Sequence, residues 1–176
     1  MVNQWLVFLL LSKSPEYLEL LTRYEPIAVG LSNPGLLGFF YFGMGLSEYW
    51  LGNLDTAIQK ATKAVELCQA AGNFEGAGFA YMVMQWSYLY KGDYDKAIAL
   101  KEDTLLMTEK QFNLRVYMWA FAAVSYAYTY LGRWDEAVRE GQEAMRIAEE
   151  YSANSTISFA ALGISFAYTT KGDLAR

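Results

Sequence analysis

Gly92-Asp93-Tyr94-Asp95-Lys96-Ala97 reads as a tight turn that ends one helix and starts the next. Glycine is the residue that most readily closes a helix. An aspartate in the first turn of the following helix sits favourably at the positive end of its dipole. Related stretches are Gly52-Asn53-Leu54-Asp55-Thr56-Ala57, Gly132-Arg133-Trp134-Asp135-Glu136-Ala137 and Gly172-Asp173-Leu174-Ala175. The glycines at 52, 92, 132 and 172 recur every 40 residues. A fixed period of this size marks a repeat protein.

Composition narrows the function classes. The chain has 176 residues, 54% hydrophobic and 19% charged, which argues against disorder. Its three prolines all precede residue 35, so the remainder suits an all-helical reading. There is no histidine, and Cys68 is the single cysteine. That excludes an internal disulfide, a zinc site of the usual ligand set, and serine–histidine or cysteine–histidine catalysis. No nucleophile–base set or phosphate loop is visible, so no enzyme, no metal and no cofactor are expected. The net charge of -5 and the lack of a Lys/Arg cluster argue against nucleic acid. The apolar run Trp5 to Leu11 follows an uncharged start and is too short to cross a membrane. It reads as a buried helix over 1–12, and a reducing, cytoplasmic setting is the expectation.

Taken in order, Ser14-Pro15 is expected to cap and open a helix, which Pro26 should bend or end near Tyr24–Glu25. Asn33-Pro34 caps and opens the next, over about 35–50. Further helices are predicted at about 54–71, 75–91, 94–112, 115–131, 134–151 and 155–171. We call the helix before each turn glycine the A helix and the one after it the B helix. The B helices are amphipathic. In the one from residue 134, Ala137, Val138, Gly141, Ala144, Met145 and Ala148 share the inner face and charged residues the outer. Ala57, Ala97 and Ala137 recur at one register, where a small side chain lets two helices approach closely. The A helices carry almost no charge: only Glu48 between Leu36 and Trp50, and none between Gly76 and Tyr90 or between Val116 and Leu131. A helix apolar all round must be covered on more than one side.

The pattern resembles the tetratricopeptide repeat (TPR). The glycine–aspartate–aromatic–aspartate turn with alanine two residues on is matched at 92–97. The tyrosine favoured four residues before the glycine is present as Tyr88, Tyr128 and Tyr168, with Glu48 the exception. The aromatic favoured eleven before it is Tyr41, Tyr81 and Phe121, but Ala161 departs. The usual period is 34; the 40 found here, without the usual proline closing the B helix, implies longer helices. Arrays of this long period resemble those attached to bacterial signalling proteins. The resemblance implies an all-α, TPR-like α-solenoid of antiparallel helix pairs forming a right-handed superhelix. Full repeats would span 35–74, 75–114 and 115–154, with a degenerate one at 1–34 and a truncated one at 155–176 that reads as an array meant to continue.

In the family, partners lie in the groove lined by the A helices. Carried over, that implies Phe39, Phe42, Leu46, Tyr49 and Trp50, then Phe79, Met82, Trp86, Leu89 and Tyr90. The later repeats supply Trp119, Tyr126 and Tyr130, then Phe159 and Phe166. The set lacks the Lys, Arg and Asn that hold a charged peptide end. Two readings stay open: these aromatics are core, or they form an apolar groove for a partner with apolar anchors. Glu48 reads best as a solvated or hydrogen-bonded helix-end residue, and the tyrosine column as packing with hydroxyls reaching backbone groups. The leading function is a non-enzymatic protein- or peptide-binding scaffold. The alternatives are a self-associating or autoregulatory module of a larger signalling protein, with a homo-oligomer formed through open array ends, and a small-ligand sensor.

Overall fold

A computed structural model of the chain describes residues 13–151 and 154–172. The helix expected over 1–12 and the last echo of the turn at 173–176 lie outside the described residues. Within them the chain is helical throughout, with no strand. The helices are α1 Ser14–Gly30, α2 Pro34–Trp50, α3 Leu54–Ala70, α4 Phe74–Lys91, α5 Tyr94–Lys110, α6 Leu114–Tyr130, α7 Trp134–Glu150 and α8 Asn154–Lys171. Their first residues, 14, 34, 54 and onward to 154, fall at a constant spacing of 20. The chain folds into two compact units, Met1–Ser87 and Tyr88–Arg176.

The turns show why the spacing is so regular. Gly92 sits at φ 81°, where a side chain would be strained. Its N–H reaches Leu89 O (3.0 Å), and the N–H of Asp93 reaches back to Tyr88 O (2.9 Å). These are the two bonds of a Schellman motif, which satisfies the orphan carbonyls of a helix end. The same pair recurs after α2 (Gly52 to Tyr49, Asn53 to Glu48), after α3 (Gly72 to Gln69, Asn73 to Cys68) and after α6 (Gly132 to Thr129, Arg133 to Tyr128). Two described turns have another residue at the glycine place. Between α1 and α2 it is Ser32, which takes the positive φ of 49°. Between α5 and α6 it is Phe112, and Gln111 before it is extended (φ -145°, ψ 97°).

The A helices α2, α4 and α6 also share a start signal. The side-chain oxygen of Asn33 accepts from Leu36 N (3.0 Å), that of Asn73 from Gly76 N (3.0 Å), and that of Asn113 from Arg115 N and Val116 N (3.1 and 3.2 Å). Each satisfies a donor that the first helical turn leaves open. The B helices α3, α5 and α7 have no side-chain cap bond, but each carries an aspartate in its first turn.

Two sequence readings change in α1. The helix does not end near Tyr24–Glu25 but continues through Pro26 to Gly30. Pro26 costs the carbonyl of Thr22 its helical donor, but both residues lie on the exposed side, where water can take that bond. Ser14 is already helical; Lys13 holds the cap position without a side-chain bond, and Pro15 lies in the first turn, where its missing N–H costs nothing.

In the unit Met1–Ser87, small residues let the helices close on one another. Ala57, Ala61, Ala64 and Cys68 on α3 are fully buried. A Cβ added at Gly45 of α2 would lie 3.1 Å from Ala57 O and 3.2 Å from Ala61 N, so backbone meets backbone. Cys68 fills the space beside Gly38 of α2 and Gly76 of α4. Phe39, Phe42 and Phe79 complete this core, with ring centroids 5.4–6.3 Å apart. Across its side, Tyr41 Oη donates to Glu25 (2.7 Å) and accepts from Lys63 (2.7 Å), whose ammonium also lies 4.0 Å from the ring centroid. That chain of contacts ties α1, α2 and α3 together.

In the unit Tyr88–Arg176, Met118, Phe121, Ala144, Ile147, Ala148 and Ala160 form the core of α6, α7 and α8. Ser125 Oγ donates to Ala137 O (2.8 Å), between Gly141 and Gly163. Lys101 of α5 pairs with Glu140 of α7 and lies 4.0 Å above the ring of Phe121. Phe121 is two periods on from Tyr41, so a cation lies over the aromatic of the A helix at that register in each unit.

Candidate functional site

The turn ends of the A helices gather the chemistry that is left exposed. The register that precedes each turn glycine by two residues holds Trp50, Tyr90 and Tyr130. Their exposures are 48%, 62% and 54%. They project because each is the last or near-last residue of its A helix, beyond the stretch that neighbouring helices enclose.

In the unit Tyr88–Arg176 these rings form a connected group. Tyr94 stacks on Tyr130 (5.3 Å, 10° between planes), although the two are on different hairpins. Tyr130 meets Phe166 edge to face (5.4 Å), and Tyr126 lies 5.5 Å from Phe166. The Tyr126 hydroxyl is pushed above its ordinary pKa, first by burial and then by the neighbouring Tyr90 and Tyr130. In the unit Met1–Ser87, Tyr49 and Trp50 pack edge to face at 5.2 Å beside the exposed Leu51.

The remaining residues of the expected groove divide by depth. Phe42, Leu46, Phe79, Met82, Trp86 and Leu89 are buried. They belong to the packed interior, because the close helix approach set by the alanine and glycine registers leaves the middle turns of the A helices no free face. Phe39, Tyr49, Trp119, Tyr126 and Phe166 are half-buried. The side chain of Phe159 lies outside those described. The half-buried Tyr94, and the exposed Leu51 and Leu131 in their separate units, went unrecognised in the sequence, although 51 and 131 are two periods apart. So did Phe112 and Tyr151, two exposed rings stacked at 5.1 Å, the first of them in the turn between α5 and α6.

The tyrosine column has a second role that packing alone does not describe. Residues 48 and 53, and again 128 and 133, face each other across the Schellman turn. Asn53 donates to Glu48 (2.7 Å), so Glu48 is a hydrogen-bonded helix end. Arg133 lies 4.4 Å over the ring of Tyr128, and Lys96 lies 5.2 Å from that of Tyr88 while pairing with Asp93 (3.2 Å). One turn geometry is thus clasped by an amide–carboxylate bond in one repeat and by cation–π contacts in others.

Other chemistry is sparse. Among the described residues no cluster of His, Cys, Asp or Glu is able to hold a metal ion. No described helix is long and apolar enough to cross a membrane. Cys68 is buried and its thiol is pushed up to about 11 by that burial, the environment of an inert structural cysteine. Burial likewise raises Tyr17 to about 12.

No protein-family model and no curated protein matches the chain. Solved structures do. The nearly identical TPR-like repeats of a kinesin-light-chain-type protein from Podosopora anserina superpose with a TM-score of 0.73 at 14% identity, over 99% of this chain and 86% of that one. A Signal Transduction ATPase with Numerous Domains (STAND) protein from Pyrococcus horikoshii, which has a tetratricopeptide repeat sensor, gives a TM-score of 0.75 at 18% identity. That match covers 96% of this chain and 26% of the STAND protein. At these identities the likeness is one of fold: the chain has the all-α, TPR-like repeat fold.

Proposed function

We propose that this chain is a non-enzymatic scaffold that binds a protein or peptide carrying apolar anchors. The contact surface is the aromatic group of the unit Tyr88–Arg176, formed by Tyr90, Tyr94, Tyr126, Tyr130 and Phe166; Tyr49 and Trp50 form a separate candidate within the unit Met1–Ser87. The observation that carries this reading is the Tyr94–Tyr130–Phe166 cluster, in which Tyr130, more than half exposed, touches both of the other rings. Contiguous exposed apolar surface marks interaction sites, and tyrosine and tryptophan are enriched among residues that dominate binding energy.

A peptide library selected against the whole chain tests this. Selected sequences should carry aromatic or aliphatic anchors and lose affinity to Tyr130→Ala and Tyr90→Ala chains of unchanged thermal stability. Binders indifferent to both substitutions would refute the surface.

A second reading has support from one comparison. The likeness to a STAND protein with a TPR sensor favours a sensing or autoregulatory module within a larger signalling protein. Under that reading the aromatic group takes a neighbouring domain instead of a separate partner. The sequence context of the gene, together with pull-down by that neighbouring domain, separates the two.

A further inference from the structure

We draw no further inference here: the strongest candidate, the apolar cavity of about 110 Å³ between α1 and α2 lined by Tyr17, Leu20, Tyr24, Ile27, Leu31 and Phe39, carries nothing because nothing in the structure shows what covers it.

Discussion

Gly38→Ala puts the close approach of α2 and α3 to a quantitative test. The added Cβ would overlap Cys68 Sγ and come within 3.0 Å of Cys68 N and 3.2 Å of Ala64 O. A thiol can rotate away, but two backbone atoms of α3 cannot, so the helices must separate. Overpacking of this kind costs about 1–3 kcal/mol. Against it stands the intrinsic gain of replacing a helical glycine by alanine, about 1 kcal/mol. With three contacts, two of them to backbone, the upper part of the range applies, and a net loss of about 1–2 kcal/mol is expected. For a chain of this size that lowers Tm by roughly 2–8 °C. Gly30→Ala is the matched control: nothing lies within 4 Å of its added Cβ, so only the propensity gain remains and stability should hold or rise. Thermal unfolding followed by circular dichroism reads both. Because Cys68 is the only cysteine, its labelling rate by a thiol reagent gives a local reading and should rise in Gly38→Ala. If Gly38→Ala stabilises the chain as much as Gly30→Ala does, α2 and α3 are not packed through these small residues, and the burial of Phe42 and Leu46 loses its explanation.

Further outcomes follow from other sites. Gly132→Ala, at φ 72°, should cost about 1–2 kcal/mol, measured by the same unfolding. Asn113→Ala removes a cap that serves two backbone donors and should cost about 1 kcal/mol, whereas Asn53→Ala, which caps nothing, should cost clearly less. Tyr130→Ala should weaken binding of a selected peptide about fivefold, since burying the exposed half of the ring is worth about 1 kcal/mol. The raised values of Cys68 and Tyr17 make the protonated forms favourable in the folded chain. The unfolded thiol and phenol ionise first, near 9.0 and 10.0, so stability is full below pH 9 and falls as pH rises toward about 11 and 12. Tm measured from pH 8 to 11.5 should therefore decline, and Cys68→Ala with Tyr17→Phe should flatten the slope.

Much of the fold was legible because its signals are local. Gly92 needs only its own φ to end α4, and Asn33 caps α2 with a side chain that reaches three residues on. The asparagine column at 33, 73 and 113 was equally legible, yet only its first member was read as a cap. Pro26 shows the limit of a local rule. A proline inside a helix costs a bond whose value depends on whether water can replace it, and that is a matter of exposure. The strap from Glu25 through Tyr41 to Lys63 was also out of reach, since it joins three helices through residues with no common spacing.

The 40-residue echo, the uncharged A helices and the recurring small residues were enough to identify a repeated helical hairpin and where each turn would fall, because turn geometry and helical periodicity are properties of neighbouring residues. They did not say which aromatics were surface. Phe42, Trp86 and Tyr130 look alike in a helix apolar on every side, and only packing separates them. Side chains in the middle turns are enclosed once alanine and glycine draw the helices together, whereas Tyr130, at the end of α6, is left exposed beside Tyr94 and Phe166. Depth within the stack is set by contacts between distant segments, so that distinction belongs to the tertiary structure alone.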